Sequence, residues 1–332
     1  MKKILITGGS GFIGYHLAKY LAARPDIELV LVDNFFRSQI DEDLKNLMSG
    51  GKIQMLNLDL TDPKSYEQLG NGYDQVYHLA AVNGTGLFYE IPHEVLRINT
   101  LSLIYMLEWF RKENAGGKFC FTSSNEAYAG ALKAFGQLPI PTPENVPLVV
   151  ADTYNPRWSY GSSKLIGEMF VIHYARAYNF RALIVRPHNF YGPRAGYKHV
   201  IPEWCQKIMD KVDPFLIPGA DETRTFCFIN DAVKAMTMLM DSSETDDQPI
   251  ETVHIGDTRE IKISDLAELM FEVTGFRPSQ IKKEASLPGS VSRRLADIGK
   301  INKLVGWQPQ TPLAEGLKLT YDWYMKHPQA KL

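Results

Sequence analysis

The sequence has few of the features that mark metal-binding, membrane or nucleic-acid-binding proteins. Its 332 residues include three cysteines, Cys120, Cys205 and Cys227, which lack the paired spacing of a zinc site and favour free thiols in a reducing compartment. No apolar run approaches the roughly eighteen residues of a membrane span. The formal net charge of −2 argues against a broad nucleic-acid surface. We therefore expect a cytoplasmic protein with no metal, no membrane partner and no nucleic-acid partner.

Internal repeats and low-complexity stretches are also missing, which argues against a solenoid or a disordered chain. The start, MKKILITGG, has the lysines and the short apolar stretch of a signal peptide, but its glycines come too early, so we interpret it as a first strand. Hydrophobic residues make up 45% of the chain and charged residues 22%, as in an ordinary globular protein. The length allows one large α/β domain with an appended lobe, or two domains.

The most informative feature present is a glycine-rich turn. The stretch TGGSGFIG follows an apolar run and places glycines at Gly8, Gly11 and Gly14. One glycine permits the tight turn, one lets the backbone approach a pyrophosphate, and one lets the next helix pack closely. Asp33 ends the next predicted strand, nineteen residues after Gly14, where an acid would meet the adenosine ribose hydroxyls. The pattern predicts a dinucleotide site; the alternative is an ordinary βα turn with an incidental acid.

Short apolar runs alternate with helical patterns through roughly the first 190 residues. Their continuous hydrophobicity is typical of strands buried on both faces of a parallel sheet. The predicted strands are 3–7, 28–33, 53–58, 75–79, 118–123 and 182–186, and the long predicted helices are 95–112 and 160–178. This alternation predicts an α/β fold with a Rossmann-type doubly wound parallel sheet. We expect residues 1–187 to form the dinucleotide-binding domain and 188–332 mainly a smaller, interleaved C-terminal substrate-binding lobe.

A tyrosine and a lysine stand one helical turn apart on the second long helix. Tyr160 and Lys164 form a Y-x-x-x-K pair, and this spacing puts both side chains on one helix face. An ammonium beside a phenol favours the phenolate, and so lowers a pKa that is normally near 10. Such a tyrosine can remove a hydroxyl proton while a hydride leaves the same carbon for a nicotinamide. The pair alone is common, and a solvated helix face is the alternative.

Motifs along the chain resemble those of a known family. TGGSGFIG is similar to TGxxGxxG and residues 160–164 to YxxSK, and the other matches are Asp59-Leu60, HLAA at 78–81, RPHNFYGP at 186–193 and TRTF at 223–226. Together they resemble the extended short-chain dehydrogenase/reductase family, in its NAD-dependent nucleotide-sugar epimerase, dehydratase and decarboxylase branch, over essentially the whole chain. The resemblance implies an enzyme that uses NAD to oxidise C4 of a nucleoside-diphosphate sugar to a 4-keto intermediate.

The resemblance also implies roles for particular residues. Those expected to bind NAD are Gly8, Gly11, Phe12, Ile13, Gly14, Asp33, Asn34, Asp59, Leu60, Leu79, Ala80, Ala81, Asn99, Tyr160, Lys164 and Pro187. Those expected to bind the nucleotide sugar are Thr85, Tyr89, Ser124, Asn125, Asn189, Val200, Arg224, Arg293 and Arg294. The implied catalytic residues are Tyr160, Lys164, Ser124 and Glu126. Which of Arg293 and Arg294 contacts the diphosphate stays open.

The reaction that follows C4 oxidation depends on Glu126. In the family, glutamate at this position is typical of 4,6-dehydratases and glucuronate decarboxylases, whereas simple 4-epimerases carry a small or apolar residue. The dehydratases precede it with an aspartate, and here the residue is Asn125, which cannot act as an acid. We expect epimerisation or decarboxylation, with 4,6-dehydration as the alternative. A purely structural role for Glu126, in an ion pair with Arg157 or Lys198, is also open.

Two other function classes compete with this interpretation. A non-catalytic dinucleotide sensor of this fold typically loses the tyrosine or the lysine, and both are present. An NADPH-dependent reductase of a small carbonyl compound is disfavoured because Asp33 would repel a 2′-phosphate, although Arg37 weakens that argument. The resemblance further implies a homodimer formed by two long helices from each subunit, with 95–112 and 160–178 as the candidates.

Overall fold

The computed structural model describes residues 1–243, 249–285 and 292–328. The strands are β1 (Lys2–Thr7), β2 (Ile27–Asp33), β3 (Ile53–Asn57), β4 (Gln75–His78), β5 (Lys118–Thr122), β6 (Arg181–Pro187), β7 (Phe190–Tyr191), β8 (Phe215–Pro218), β9 (Thr223–Arg224), β10 (Cys227–Phe228), β11 (Ile250–Ile255), β12 (Ile261–Lys262) and β13 (Ile281–Glu284). The α-helices are α1 (Phe12–Ala22), α2 (Glu42–Met48), α3 (Thr85–Glu90), α4 (Pro92–Glu113), α5 (Ala129–Phe135), α6 (Trp158–Tyr178), α7 (Val200–Met209), α8 (Ile229–Asp241), α9 (Ile263–Thr274), α10 (Gly299–Val305) and α11 (Leu313–Lys326).

Seven strands of the described residues form one parallel sheet in the order β11-β6-β5-β4-β1-β2-β3. The chain builds outward from β1 in both directions, so the order reverses between β1 and β4. Thr7 and His78 are paired at the carboxyl ends of these two strands. Open α/β sheets bind ligands in the crevice at such a reversal. The topology therefore confirms the predicted Rossmann-type fold and locates the crevice.

The strands are buried on both faces of the sheet, as their continuous hydrophobicity predicts. In β1, the side chains of Ile4, Leu5 and Ile6 are completely buried. Ile4 and Ile6 belong to a core cluster that includes apolar residues of α1, α7, α8, α9 and α11. Leu5 belongs to a second cluster on the opposite face, with residues of α4 and α6. The sheet is therefore covered by one layer of helices on each face.

The strand β11 lies far along the chain from the strand that it extends. It pairs in parallel with β6, from Ile250 opposite Ala182 to Ile255 opposite Pro187. The six predicted strands agree with β1 to β6 within two residues at their ends. The sequence analysis did not predict β11, because Glu251, Thr252 and His254 interrupt its apolar pattern. The central sheet is thus completed by residues beyond position 187.

The remaining strands form three short pairs, β7 with β10, β8 with β13 and β9 with β12, beside α7, α9 and α11. They form the smaller substructure over one end of the sheet. Cys120, Cys205 and Cys227 are buried free thiols. In the described ranges, no helix is long and apolar enough to cross a membrane, and no group of three or more potential ligand side chains could hold a metal ion.

Candidate active site

The turn after β1 has the geometry that its glycines were predicted to allow. Gly8 has a φ of +68°, in the left-handed region that favours glycine. A Cβ on Gly14 would lie 2.1 Å from the carbonyl oxygen of Gly8, so no larger residue fits between α1 and the turn. Gly11 is the N-cap of α1 and carries no side chain over the helix end. The first amides of α1 consequently face open space.

A cleft of about 490 Å³ lies beside this turn at the carboxyl ends of β1 to β4. Asp33 stands on its wall, and its carboxylate accepts hydrogen bonds from the Ser10 amide at 3.2 Å, the Phe35 amide at 2.9 Å and the Ser38 hydroxyl at 3.2 Å. The predicted NAD-binding residues that line the cleft are Gly8, Gly11, Phe12, Ile13, Gly14, Asp33, Asn34, Asp59, Leu60, Leu79, Ala80 and Ala81. The structure therefore brings most of that predicted set together.

Four predicted cofactor residues do not line the cleft: Tyr160 and Lys164, which are described below, and Asn99 and Pro187. The side chain of Asn99, on α4, accepts a hydrogen bond from the Val82 amide at 2.7 Å and donates to the Val82 carbonyl and the Ser163 hydroxyl, each at 3.1 Å. These bonds tie the loop after β4 to α6, so Asn99 shapes the wall rather than lining it. Pro187 ends β6 and is paired with Ile255, also outside the cleft lining.

The cleft lining also includes arginines that the sequence analysis did not assign to the cofactor: Arg37, Arg97 and Arg194. Arg194 is buried, forms an ion pair with Asp41, donates to the Ser10 carbonyl at 3.2 Å and stacks over the Tyr15 ring at 4.1 Å. Arg37 forms no hydrogen bond or ion pair with any residue that the structure describes. Arg194 follows the YGP stretch directly, but nothing in the sequence places it beside a turn 184 residues earlier.

These observations show that the cleft fits a dinucleotide. Its volume lies in the range of about 300–1,000 Å³ that is usual for ligand clefts. The first turn of α1 contains no acidic residue, so its amides and positive dipole end are available to phosphate oxygens. The Asp33 carboxylate is oriented at the end of β2, where it can accept hydrogen bonds from ribose hydroxyls.

Tyr160 and Lys164 lie in the first turns of α6, both buried. The Lys164 ammonium donates a hydrogen bond to the Thr122 carbonyl at 2.7 Å, and its nitrogen lies 5.6 Å from the centre of the Tyr160 ring. Burial lowers the pKa of Lys164 to about 7, and the nearby Glu168 carboxylate opposes that shift. Burial raises the pKa of Tyr160 above its usual value, and the smaller opposing effects of Ser124 and Arg37 do not reverse this shift, so the lowered pKa expected from the Tyr160–Lys164 pair is not found in the free protein. The three predicted catalytic groups Ser124, Tyr160 and Lys164 are therefore neighbours.

The ends of β5 and α6 meet closely at this point. Ser124 follows β5, and its hydroxyl accepts a hydrogen bond from the Glu126 amide at 3.1 Å. A Cβ on Gly161 would lie 2.7 Å from the Glu126 carbonyl oxygen, which explains why a glycine follows Tyr160. On its other side, the Tyr160 ring is stacked on Phe88, with centroids 5.1 Å apart and planes within 10°. Phe88 thus fixes the orientation of the tyrosine ring.

Glu126 is held between two arginines. Its carboxylate accepts a hydrogen bond from Arg294 at 2.7 Å and lies 3.4 Å from the guanidinium of Arg157. Burial would raise the pKa of Glu126, but Arg294 and Arg157 outweigh it and the pKa is lowered. Of the two ion pairs considered in the sequence analysis, the structure shows the one with Arg157. It adds Arg294, which the sequence analysis assigned to the diphosphate.

The other predicted substrate residues are spread over the same end of the molecule. Asn189 has a φ of +44° and donates to the Thr225 carbonyl at 2.9 Å. Arg224 pairs with Glu222 at 2.6 Å, and Val200 is the first residue of α7. Tyr89, on α3, is half exposed, whereas the side chain of Thr85 lies outside the part of the molecule that the structure describes.

The adjacent arginines Arg293 and Arg294 point to different surroundings. Arg293 is exposed and forms an ion pair with Glu260 at 2.7 Å. Arg294 is largely buried beside Glu126. Burial lowers the pKa of Arg224, and the positive charge of Arg294 lowers it further. Both also border a small cavity of about 30 Å³ that is lined in part by Asn125, Tyr128, Leu132 and Ile140. Arg294 therefore lies beside Glu126, whereas Arg293 lies at the surface.

The fold and the cleft together define the class, a nicotinamide-dinucleotide enzyme with a Rossmann-type sheet. Comparison with known proteins makes the assignment more specific. The chain belongs to the NAD dependent epimerase/dehydratase family, whose sequence profile matches residues 4–256. This confirms the resemblance inferred from the motifs, the cofactor NAD and the enzyme class.

Individual relatives act on nucleotide sugars. The chain is 30% identical over 325 residues to UDP-glucuronic acid decarboxylase 3 of Arabidopsis thaliana, covering 96% of this chain and 87% of that protein. It is 29% identical over 333 residues to the UDP-N-acetyl-alpha-D-glucosaminuronate decarboxylase of Bacillus cytotoxicus, covering 97% and 98%. The solved UDP-glucose 4-epimerase of Thermotoga maritima superposes with a TM-score of 0.84 at 26% identity, covering 98% of this chain and all of that one.

Proposed function

We propose that this enzyme oxidises C4 of a nucleoside-diphosphate hexuronate, a sugar that carries a carboxylate on C5, and then removes that carboxylate as carbon dioxide. The uridine nucleotide and the uronate are suggested by the names of the decarboxylases to which the chain is similar. The observation that carries the proposal is a small cavity beside Glu126 that is bordered by Arg294 and by Asn125, whose buried amide nitrogen has no hydrogen-bond partner among the described residues. Epimerisation at C4, as in the epimerase neighbour, shares the same first step.

The first step is proton removal from the C4 hydroxyl by Tyr160. The Ser124 hydroxyl lies within hydrogen-bonding reach of the phenol and can hold the same substrate oxygen. A protonated Lys164 beside the ring favours the phenolate through its charge, against the burial that raises the pKa of Tyr160. NAD bound in the cleft would supply the hydride acceptor for C4 and the hydride donor that completes the cycle.

Decarboxylation follows from the position of the new ketone. A C4 carbonyl is β to the C5 carboxylate, so the bond between C5 and the carboxyl carbon can break with its electron pair delocalised onto the C4 oxygen. Ser124 and protonated Tyr160 are placed to stabilise the negative charge on that oxygen. A proton then replaces the carboxyl group on C5. Carbon dioxide is the leaving product.

Water elimination, as in a 4,6-dehydratase, has no acid to support it at this site. A leaving hydroxyl needs a proton, and Asn125 has none to give. Glu126 is ionised, because Arg294 and Arg157 hold its pKa below the usual value. A carboxylate in this state serves as a hydrogen-bond acceptor or a base, and not as an acid. This supports decarboxylation or epimerisation over dehydration.

The cavity beside Glu126 supports a carboxylated substrate. The buried Asn125 amide nitrogen has no hydrogen-bond partner, and of the Arg294 nitrogens only Nη1 has one among the described residues. An ionised carboxylate, which only accepts hydrogen bonds, matches such donors. Arg294 and Arg157 together carry two positive charges, and Glu126 carries one negative charge. The remaining positive charge favours binding of a second anion. The cavity of about 30 Å³ suits a small substituent rather than a sugar ring.

The test is turnover of UDP-glucuronate, UDP-glucose and UDP-N-acetylglucosamine, followed by product mass and sugar stereochemistry. We expect UDP-glucuronate to lose carbon dioxide. An unchanged mass with inverted C4 would replace decarboxylation by epimerisation, loss of water would contradict the argument from Glu126, and no turnover of any sugar would refute the proposal. The matched variant Asn125→Asp keeps the side-chain shape but replaces the donor by an acceptor. It should weaken kcat/KM for the uronate at least about tenfold, which is the loss of one charge-assisted hydrogen bond.

We further propose that the enzyme is a cytoplasmic homodimer. The helices α4 and α6 pack side by side and carry exposed apolar side chains, namely Leu96, Ile166, Met169 and Tyr178. Two copies of this pair could bury these side chains in a four-helix bundle. Light scattering of the purified protein tests the dimer, and a monomeric mass at micromolar concentration would contradict it. The variant Met169→Glu should shift a dimer toward monomer.

A further inference from the structure

A buried ion pair, separate from the groups used above, connects the active-site elements. Glu168 on α6 and Arg186 on β6 form a two-pronged contact, with N–O distances of 2.8 and 2.7 Å. Their side chains are only 3% and 5% exposed. The Ser123 hydroxyl donates a third hydrogen bond to the Glu168 carboxylate at 2.5 Å. A buried, bidentate contact of this kind fixes the relative orientation of the two side chains.

Each partner is adjacent to a proposed catalytic group. Ser123 precedes Ser124 at the end of β5, and Glu168 lies one helical turn after Lys164 and two turns after Tyr160 on α6. Arg186 also donates to the Glu144 carbonyl at 2.8 Å, which anchors the guanidinium from the opposite side. The ion pair therefore spans β5, β6 and α6. Displacing it would change the distance between Ser124 and Tyr160.

We propose that Glu168 is a positioning residue for the C4 oxidation. Its bonds to Arg186 and Ser123 fix the position of α6, which carries Tyr160 and Lys164, relative to β5, which precedes Ser124. Glu168 also keeps a negative charge beside the Lys164 ammonium. This inference rests on the proposed function, because it assigns Glu168 to the same reaction.

The charges around Lys164 favour this second role. Burial lowers the pKa of Lys164 to about 7, and Glu168 is the group that raises it. The other titratable neighbours are Tyr160 on the same helix and His78 on β4, whose pKa burial lowers to about 3, so that it is neutral. On β5, the ammonium contacts the Thr122 carbonyl and the Phe121 ring. Without Glu168, the ammonium would lose its proton at a lower pH.

The experiment compares Glu168→Gln and Glu168→Asp with a matched control. Glu108→Gln removes a carboxylate that also bonds α6, at Tyr174 and 2.9 Å, but far from the site. We expect Glu168→Gln to lower kcat about tenfold or more through misplacement of the reacting groups, and to shift the alkaline limb of kcat/KM down by about one pH unit. Glu168→Asp should keep the limb in place, and Glu108→Gln should change neither value.

The kcat of Ser123→Ala and the pKa of Lys164 test the two roles of Glu168 separately. Ser123→Ala removes one hydrogen bond to Glu168 and leaves its charge, so kcat should fall severalfold with no shift of the alkaline limb. An unchanged kcat would refute the positioning role. This variant provides the test even if Glu168→Gln fails to fold. NMR titration of Lys164 in the cofactor-free protein, assigned with Lys164→Met, should give a lower pKa in Glu168→Gln. An unchanged pKa refutes the electrostatic role. This titration needs no turnover, so its result is distinct from failure of the proposed function.

Discussion

The cofactor half and the substrate half of the active cleft are built in different ways. The cofactor half depends on backbone shape, with Gly8 and Gly14 in contact across one turn and the Asp33 carboxylate held by groups at most 23 residues away. The substrate half depends on charged side chains, and the hydrogen bond of Arg294 to Glu126 spans 168 residues. Local sequence determines the turn and the orientation of Asp33 in the first half, although Arg194 joins its wall from 184 residues away. The charged contacts of Glu126 in the second half depend on the complete fold.

The largest effect should come from a side chain that carries the chemistry and does not line the cofactor cleft. Tyr160→Phe removes the hydroxyl that takes the C4 proton, so kcat should fall by about 10²–10⁴. NAD binding, measured by calorimetry, should stay within a few-fold, since Tyr160 is not among the residues that line the cleft. Near-normal turnover would contradict the role of the base, and loss of NAD affinity would break the separation of the two halves.

The adjacent arginines give the next test. Arg294→Gln removes the closest partner of Glu126, and the lost charge-assisted hydrogen bond is worth about 1.5–3 kcal/mol, or about ten- to hundredfold in kcat/KM for a uronate. Arg293→Gln is the matched control, since its partner Glu260 lies at the exposed surface. Its effect should be below about threefold. Equal effects of both variants would contradict the geometry at Glu126.

A backbone change should act on the other half. In Gly14→Ala the added methyl would overlap the Gly8 carbonyl, and overpacking of about 1–3 kcal/mol predicts about ten- to hundredfold weaker NAD binding. Gly116→Ala is the control, because no atom lies within 4 Å of its Cβ position. Calorimetric titration with NAD measures both variants. Tight binding by Gly14→Ala would show that the turn is less constrained than its geometry indicates.

The smallest effect concerns the choice of dinucleotide. Asp33→Asn keeps the shape of the side chain but removes the charge that repels a 2′-phosphate. The ratio of NAD to NADP affinity should fall severalfold, by roughly the worth of one partly exposed charge. Titration with both dinucleotides measures it. If the wild-type protein already prefers NADP, then Arg37, which has no partner among the described residues, governs the choice instead of Asp33.

Most of the fold was predictable because its signals are local. Continuous apolar runs predicted β1 to β6, and the glycine spacing predicted the turn into α1. The strand β11 was missed, since its edge position leaves half of its side chains partly exposed and its pattern mixed. Pairing with β6 is a long-range property that periodicity does not show.

The site was predictable to the extent that single residues define it. The motifs identified Ser124, Tyr160 and Lys164 as one group, and the structure makes them neighbours. The sequence did not predict that Arg294 would bond Glu126, nor that Glu168 and Arg186 would form a buried pair, because ion pairs between distant segments leave no spacing signal. It also placed Asn99 at the cofactor, whereas its amide is fully used in shaping the loop at Val82.

The return of the chain to form β11 has a consequence for how the protein can be divided. A fragment that ends at residue 187 would leave β6 with a full row of unpaired backbone groups from Ala182 to Pro187. Exposed edges of this kind template aggregation. The dinucleotide half is therefore not a separable folding unit, and expression of the first 187 residues alone should give insoluble protein. Co-expression of the second half is the way to recover it.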